Sequence, residues 1–298
     1  MPHLFRAEKS WTSPHGRALP QDFRERTLLM GIVNATPDSF SDGGEYFAPE
    51  AAAHHAAELV AAGADIIDLG AESTRPGSEK ISPDEEWKRL APALQAIRER
   101  LPQIPVSIDT VHAEVAEKAI AAGADILNDV RAIGSRVLTA GTPYPLGQVA
   151  AASGAPLIAM HNRFDAPNYK NFWADFMDDL RAGVERILSC GIPAEQLWLD
   201  PGFGFGKTPE QNLEIVARLH EVASLGFPVL LGTSRKSTLG IVLGGKPPKE
   251  RTGGDSACAA LGAFHGAACL RLHDIAAHKD VVTVADAISR TVSETSQS

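Results

Sequence analysis

Eight short apolar runs in this chain each end in, or lead directly to, polar residues that can do chemistry. These residues are Asn34; Asp68, Glu72, Thr74 and Arg75; Asp109; Asn128 and Asp129; His161; Asp200; Ser234, Arg235 and Lys236; and Arg271 with His273. Ionised carboxylates only accept hydrogen bonds, whereas an asparagine side chain both donates and accepts them. Gathered in one place, such a set would bind a flat heterocycle rich in N–H donors, together with an anion.

A regular alternation of apolar runs and helix-like segments indicates how these residues are positioned. The segments between most consecutive runs are rich in alanine, and their apolar residues recur at three- and four-residue spacing. Gly63 and Gly123 stand just before two of the runs and suit the left-handed position that ends a helix. The eight strand–helix units predict an α/β fold, a single (β/α)8 TIM barrel whose active site lies at the C-terminal ends of the strands.

The composition is consistent with one such domain. The formal net charge of −9 argues against nonspecific binding to nucleic acid or to an anionic membrane surface. No apolar stretch approaches the ~20 residues of a membrane span, and the N-terminus lacks the apolar core of a signal peptide. Cys190, Cys258 and Cys269 lie far apart without metal-type spacing and are expected to be reduced thiols. We therefore expect a cytoplasmic protein.

We expect the chain to consist of an N-terminal arm and a barrel domain. Residues 1–26 are polar and contain proline, which predicts an arm or short hairpin that closes the barrel floor, and residues 27–298 would form the barrel. Residues 244–254, GGKPPKERTGG, have the composition of a flexible loop after strand seven. Residues 131–147 match no element clearly.

Two polar loops follow the first two predicted strands. Residues 34–44, NATPDSFSDGG, lack helical periodicity, and Asn34 and Asp38 could ligate or orient a hydrated cation. This composition suits a mobile lid over a binding site. Residues 71–78, AESTRPGS, carry Arg75, a planar donor for a carboxylate or phosphate. A solvated surface turn is the alternative interpretation of both loops.

Asp109, Asn128 and Asp200 each end a different predicted strand, so they would face one another across the barrel mouth. Structural alternatives exist, since Asp109 could cap the next helix at 110–111 and Asp200 could initiate a turn at 201–202. The coincidence of all three at strand ends favours a binding pocket.

The glycine-rich segment 200–212, DPGFGFGKTPEQN, invites comparison with a phosphate-binding loop. The Walker pattern requires four residues between its first glycine and its Gly-Lys-Ser/Thr. Here one residue too few separates Gly202 from Gly206, and Pro209 would begin the next helix. We therefore reject a nucleotide-binding loop at this position.

Cations cluster after the last two predicted strands. Residues 232–237, GTSRKS, hold two adjacent cations between hydroxyl side chains. Strand alternation places Arg271 and His273 on one face of the last strand. Together with Lys236 they come from strands seven and eight, which commonly bind phosphate in such barrels.

Seven motifs of this chain resemble, in the same order, those of the dihydropteroate synthases. They are NATPDSFSDGG, DLGAESTRPG, VSIDT, LND, LDPGFGFGKT, GTSRKS and RLHD, and the resemblance covers about residues 28 to 290. It implies a transferase of folate biosynthesis that condenses p-aminobenzoate with 6-hydroxymethyl-7,8-dihydropterin diphosphate, forming 7,8-dihydropteroate and releasing pyrophosphate. It also implies a requirement for Mg2+, a homodimer, and inhibition by sulfonamides, which mimic p-aminobenzoate.

The same resemblance implies roles for individual residues. The pterin pocket would contain Asp109, Asn128, Asp200 and Lys236. The diphosphate and Mg2+ site would contain Arg271, His273 and the metal ligand Asn34. The p-aminobenzoate side would contain Thr74, Arg75, Ser237 and Phe205, with Phe40 and Pro76. The residues expected to act in catalysis are Asp38, Asp109, Lys236 and Arg271.

One departure and two alternative functions stay open. After strand five the chain has Met160-His161-Asn162-Arg163-Phe164 where many members have Met-His-Met-Arg-Gly, a departure that bears on the shape of that loop and not on the core site. A related barrel that transfers a methyl group from methyltetrahydrofolate to a corrinoid protein would give no reason for the lid motif or for SRKS and RLHD. A catalytically silent pterin-binding homologue would be expected to lose lid or anion residues, and this sequence keeps them.

Overall fold

The computed structural model describes residues 11–23, 25–35, 44–70, 81–134, 144–163 and 168–295. Its strands are β1 (Leu28–Asn34), β2 (Ile66–Gly70), β3 (Val106–Asp109), β4 (Ile126–Ile133), β5 (Leu157–His161), β6 (Leu197–Asp200), β7 (Leu230–Leu231) and β8 (Cys269–Leu272). They pair in parallel in the order β6-β5-β4-β3-β2-β1-β8-β7. A parallel bridge between Leu199 and Val229 joins the two edges. The predicted (β/α)8 barrel is therefore confirmed.

Helices alternate with the strands along the described chain. They are α1 (Gly44–Ala62), α2 (Pro83–Arg100), α3 (Ala113–Ala121), α4 (Pro145–Ser153), α5 (Phe172–Ser189), α6 (Pro209–Ala217), α7 (Leu219–Ala223), α8 (Ser237–Val242), α9 (Thr252–Phe264) and α10 (Lys279–Thr295), with short 3-10 helices at Ala194–Gln196 and Pro248–Glu250. None of the helices in these residues combines the length and apolarity needed to cross a membrane.

Local signals in the sequence fix several helix ends. The Ser82 side chain accepts a hydrogen bond from the Glu85 amide, and Pro83 occupies the first turn of α2, where its missing N–H costs nothing. A reciprocal capping box between Thr208 and Gln211 begins α6. Gly63, with a φ of 112°, ends α1 in a backbone conformation that L side chains rarely adopt. These ends set the short loops that turn the chain back into the barrel.

The apolar residues form two layers. The larger layer lies between the outward face of the strands and the helices, and includes Ile67, Leu90 and Phe176. The smaller layer fills the barrel interior near its N-terminal end, where Trp198 of β6 packs. Burial on both faces explains why the strands are nearly continuous apolar runs, and it leaves the opposite end of the barrel for polar side chains.

Residues 11–23 of the N-terminal arm pack across the floor of the barrel. The Trp11 indole is 1% exposed and stacks on Trp198 with a centroid separation of 4.3 Å. The Ser13 hydroxyl and the Arg17 guanidinium donate to the fully buried Asp125 carboxylate, at 2.6 and 2.9 Å. The arm is therefore joined to the barrel by both apolar burial and charge-assisted hydrogen bonds.

Replacing Trp11 with alanine should lower the free energy of unfolding by about 3 kcal/mol, because it opens a cavity beneath Trp198. Turnover should stay near the wild-type value, since the floor lies opposite the strand ends that carry the polar residues. Urea unfolding followed by circular dichroism measures the change. Trp87→Ala, at a partly buried position on α2, is the control. An effect no larger than that of the control would contradict the account of the floor.

The structure corrects one expectation about loops and completes another. The predicted flexible loop at 244–254 instead contains a 3-10 helix and the first turn of α9. The Arg251 side chain anchors it by donating to the carbonyl oxygens of Lys246, Arg235 and Lys236. A high content of glycine and proline indicates only the local backbone preference of a segment. It gives no information about hydrogen bonds to residues distant in sequence, such as those made by Arg251. Within 131–147, the first residues extend β4 and the last ones begin α4, while 135–143 lie outside the described residues.

Candidate active site

Five strands bring polar side chains to the C-terminal end of the barrel. Asp68, Asp109, Asn128, Asp200 and Arg271 lie on β2, β3, β4, β6 and β8. In the strand register Asp109 stands beside Gly70 on one side and Asn128 on the other. Because parallel strands present their carboxyl ends at one edge, residues that are distant in sequence come together here.

Arg271 joins two of the carboxylates. Its guanidinium donates from Nε to Asp68 Oδ2 at 2.6 Å and from Nη2 to Asp109 Oδ2 at 3.0 Å. Burial lowers the pKa of Arg271, but attraction to Asp68 and Asp109 outweighs this and raises the pKa above its ordinary value. The Asp68 side chain is fully buried, so it needs this cation, because an unpaired buried carboxylate is strongly unfavourable.

Asn128 presents an unsatisfied acceptor within this cluster. Its Nδ2 lies 3.5 and 3.4 Å from the two carboxylate oxygens of Asp68. Its Oδ1 is buried and accepts no hydrogen bond from the part of the chain that the structure describes. Buried polar atoms nearly always have a partner, so this oxygen is suited to an N–H donor from a ligand.

Burial raises the pKa of both strand-end carboxyls. The pKa of Asp109 is raised to about 7 by burial, against the opposing effect of Arg271, and the negative charge of Asp68 raises it further. The pKa of Asp200 is raised to about 6 by burial, against the Gly202 amide and Lys236, which favour the anion. Near neutral pH Asp200 is mainly an acceptor-only carboxylate, which can pair with donors on a ligand.

The two structural alternatives for the strand-end carboxyls have different outcomes. Asp109 does not cap the next helix, because α3 begins at Ala113 with His112 in the capping position. Asp200 does organise the following turn, since its Oδ1 accepts from the Gly202 amide at 2.7 Å. This hydrogen bond from the Gly202 amide fixes the orientation of the Asp200 carboxyl group at the end of β6.

Side chains from the loops after β6, β7 and β8 complete the rim of the site. The Lys236 ammonium lies 3.9 Å from the centroid of the Phe205 ring, a distance typical of a cation–π contact. The His273 Nδ1 lies 3.1 Å from the Ser234 hydroxyl. The rim therefore combines a cation, an aromatic surface and an imidazole beside the acidic cluster.

Lys207 organises the glycine-rich loop after β6. Its ammonium donates to the carbonyl oxygens of His161, Gly202 and Phe205 at 3.0–3.2 Å. Burial lowers its pKa to about 7, although Asp200 and Asp179 oppose this by favouring the cation. Three carbonyl acceptors use all three donors of the protonated form, which supports a structural role and agrees with the rejection of a Walker loop.

The loop after β5 is held by a separate network. Asp179 of α5 accepts from Arg163 Nε at 2.6 Å, and one of its oxygens lies 2.9 Å from His161 Nε2. Burial lowers the pKa of His161 to about 4. The neutral imidazole therefore ties the end of β5 to α5. The carbonyl oxygen of the same residue, His161, accepts from the Lys207 ammonium.

The structure brings most of the described candidate residues to one place. Asp109, Asn128, Asp200 and Arg271 line the mouth, and Lys236, Phe205 and His273 lie on its rim. Ser237 is the first residue of α8, and Asn34 is the exposed last residue of β1. The other candidates, Asp38, Phe40, Thr74, Arg75 and Pro76, lie outside the described residues.

Sequence reasoning gave no role to Asp68, although the structure places it at the centre of the cluster. It contacts Arg271 and lies near Asn128 Nδ2. The signal was a carboxylate inside an otherwise apolar strand, DIIDLG, which matches the signal that identified Arg271. Two opposite charges on apolar strands of one barrel predict an ion pair.

Comparisons with known proteins show which proteins this chain is similar to. A family model described as pterin binding enzyme matches residues 30–273. A dihydropteroate synthase of Clostridium beijerinckii is 44% identical over 267 residues, covering 89% of this chain and 96% of its own length. The solved structure of Xanthomonas albilineans dihydropteroate synthase with 4-aminobenzoic acid is 40% identical with a TM-score of 0.83, covering 93% of this chain and 98% of that one. A Yersinia pestis dihydropteroate synthase in complex with a sulfonamide drug is 36% identical, with a TM-score of 0.78 and coverage of 88% and 94%.

Proposed function

Since the chain belongs to the pterin binding enzymes, with dihydropteroate synthases as its relatives, we propose that the strand-end cluster is where it carries out the dihydropteroate synthase reaction. The chain is a transferase of folate biosynthesis. The amine of p-aminobenzoate displaces pyrophosphate from 6-hydroxymethyl-7,8-dihydropterin diphosphate, and 7,8-dihydropteroate is formed. The set of Asp109, Asn128 and Asp200, of which the last two are buried, supports this location most strongly, because it offers acceptors to a donor-rich ring.

The pterin ring is bound by these acceptors. The Asp200 carboxylate keeps its orientation through the Gly202 amide and accepts from the amino and ring N–H edge of the pterin. The buried Asn128 Oδ1 takes a further N–H. A site built to pair such donors discriminates strongly against rings that lack them, since its own polar atoms would then be left unsatisfied.

The contribution of Asp200 to pterin affinity should fall about tenfold for each pH unit below 6, because protonation of Asp200 removes an acceptor. The direction of this pH dependence follows from the pKa of Asp200, which is raised to about 6. The carboxylate that accepts from the pterin predominates above that pH and is lost below it. Calorimetry with a diphosphate-free pterin between pH 5 and 8 measures the slope. Asp200→Asn, which cannot titrate at this position, should bind weakly and lack the change near pH 6, so the ratio of the two affinities at each pH removes the titration of Asp109 and of the pterin itself. A ratio that does not change with pH would contradict the assignment.

The chemical step is a displacement at a benzylic-type carbon. Such a step is loose, so positive charge develops on the pterin while negative charge builds on the departing pyrophosphate. The carboxylates of Asp109 and Asp200 stabilise the first charge, and Arg271, Lys236 and His273 stabilise the second. Asp38 is proposed as a further catalytic residue from the resemblance of its motif.

Mg2+ is proposed as the cofactor at the diphosphate side. Among the described residues no group of three or more histidine, cysteine or acidic side chains could hold an ion. The Asn34 amide oxygen at the end of β1 offers one ligand, and this donor set fits Mg2+, which often takes few protein ligands and is held largely by substrate phosphates and water. When bound, Mg2+ would neutralise charge on the diphosphate.

The p-aminobenzoate side is proposed at the rim around Phe205 and Ser237, with Thr74 and Arg75 from the loop after β2. The aromatic face of Phe205, next to the Lys236 ammonium, suits a ring that bears a carboxylate. Sulfonamides are proposed as inhibitors at this position, because the Yersinia pestis relative was solved with a sulfonamide drug. The lid at 34–44 is proposed to close after the pterin diphosphate binds, so that p-aminobenzoate enters second.

A homodimer in the cytoplasm is proposed as the working form. Large apolar side chains on the outer helices are exposed at Ile241, Val242, Leu261, Val284 and Ile288, by 47–62%. Three of them, Leu261, Val284 and Ile288, lie on α9 and α10, which pack against each other, and exposed apolar side chains of this kind suit an interface between two copies. The three cysteines are free thiols, which suits a reducing compartment.

Formation of 7,8-dihydropteroate by the purified chain tests the function. The substrates are the dihydropterin diphosphate and p-aminobenzoate with Mg2+, and the product is identified by mass. Absence of this product, with a folded protein that binds pterin, would overturn the function and leave the family membership intact.

A further inference from the structure

The backbone of Arg235 has an unusual conformation. Its φ is 59°, and among the described residues it is the one non-glycine residue with positive φ. A side chain with a Cβ is disfavoured in this left-handed region, so the surrounding structure must hold it there. Arg235 lies between Ser234 and Lys236, both of which contribute to the rim of the site.

An acidic residue of α9 holds the amide side of Arg235. The Asp255 carboxylate is 3% exposed and accepts from the Arg235 N–H, at 2.9 Å to Oδ1 and 3.1 Å to Oδ2. Its Oδ2 also lies 3.5 Å from the Ser234 hydroxyl. A buried, charge-assisted contact of this kind fixes the orientation of the peptide that enters Arg235.

A basic residue before α9 holds the carbonyl side. Nη1 of Arg251 donates to the carbonyl oxygens of Arg235 and Lys236, at 2.7 and 3.0 Å. Its Nε donates to the Lys246 carbonyl at 2.8 Å, which ties the same guanidinium to the segment 244–254. The planar fork of arginine is suited to this multiple contact, and lysine could not reproduce it.

We infer that Arg251 and Asp255 are positioning residues for the transfer reaction: they hold Arg235 in the left-handed conformation, which directs Lys236 and Ser237 to the substrate pocket. The inference rests on the proposed location of the reaction at this rim. In this account the function of the segment 244–254 is to place Arg251 against the loop that follows β7. Both residues contact backbone atoms of Arg235, and each acts through the backbone of its neighbours.

A glycine of α8 provides an independent means of disturbing the clamp. A Cβ built on Gly240 would lie 2.4 Å from Nη2 of Arg251, so the guanidinium packs directly against the helix. Alanine is the better helix former, so Gly240→Ala should favour α8 locally while it pushes Arg251 away from the two carbonyl oxygens. Loss of activity in this variant would therefore come from the displaced clamp.

The test is a double-mutant cycle between Arg251 and Arg235. Arg251→Met keeps the length of the side chain, removes its donors and should lower kcat/KM by about 10- to 100-fold. Glycine adopts positive φ at no steric cost, so the same change in an Arg235→Gly background should lower kcat/KM less than about threefold. Pterin affinity and the melting temperature are measured for each protein. An equal effect of Arg251→Met in both backgrounds would overturn the inference.

Two further variants separate the clamp from general destabilisation. Gly240→Ala should lower kcat/KM when Arg251 is present and have little effect when Arg251→Met is already made. Lys249→Met, at an exposed position of the same segment, is the matched control and should behave as wild type. Activity of the wild type and of this control reports on the function itself, so a failure of the function and a failure of the clamp are distinguishable. A Gly240→Ala variant with wild-type activity would also contradict the inference.

Discussion

Replacing Asp200 with alanine should weaken pterin binding about 100-fold and abolish measurable turnover. The removed carboxylate would leave buried N–H donors of the pterin without acceptors, which costs roughly 2–4 kcal/mol. The lost acceptor is also one of the anions that stabilise the developing pterin cation, so turnover suffers more than binding. The side chain is buried at the end of β6, where water cannot easily take its place.

Calorimetry with a diphosphate-free pterin measures the binding loss of Asp200→Ala. Asp129→Asn is the matched control, because Asp129 is also a buried acid with a pKa raised to about 6 by burial, yet it bonds to the Tyr144 hydroxyl. The control can lose stability but should keep pterin affinity. Near wild-type affinity in Asp200→Ala would refute the pterin assignment of this carboxyl.

Replacing Arg271 with alanine should reduce kcat/KM by about 10³-fold or more and also destabilise the fold. The change leaves the fully buried Asp68 carboxylate and the partly buried Asp109 carboxylate without their cation, and breaking a buried pair in this way costs about 3–5 kcal/mol. The resemblance described in the sequence analysis places Arg271 with His273 at the diphosphate, and that role alone would leave binding of a diphosphate-free pterin unchanged. The contact between Arg271 and Asp109 changes that expectation, because disturbing Asp109 should weaken pterin binding as well.

His273→Ala then isolates the anion site. It should weaken pyrophosphate binding and leave the affinity for a diphosphate-free pterin unchanged, since its imidazole contacts the Ser234 hydroxyl on the rim. Adding Asp68→Asn to Arg271→Ala should recover part of the lost stability, because it removes one of the unpaired charges. Unchanged pterin affinity in Arg271→Ala, or no recovery in the double variant, would contradict this account of the cluster.

The barrel and its strand-end pocket could be predicted because they follow from local and repeated signals. Each apolar run is buried on both faces, so its polar terminal residue marks the carboxyl edge, as at Asp109 and Asp200. Helix ends were readable where the signal is local, as at Pro209 after the Thr208 cap.

What escaped prediction depends on contacts between distant residues. Nothing near Arg251 in the sequence indicates that it binds the Arg235 and Lys236 carbonyl oxygens, so its segment was predicted to be a flexible loop. The pairing of Asp68 with Arg271 joins residues 203 positions apart. The sequence of a glycine-rich or charged segment indicates which backbone conformations it prefers locally. Tertiary contacts then determine which of those conformations the folded protein adopts.

Pyrophosphate release from the dihydropterin diphosphate, with and without p-aminobenzoate, tests the central claim most directly. The wild-type chain with Mg2+ should release pyrophosphate faster when p-aminobenzoate is added, with one dihydropteroate formed for each pyrophosphate, and Asp200→Ala should release none. A folded wild-type chain that binds the pterin but releases pyrophosphate at a rate indifferent to p-aminobenzoate, or not at all, would contradict it.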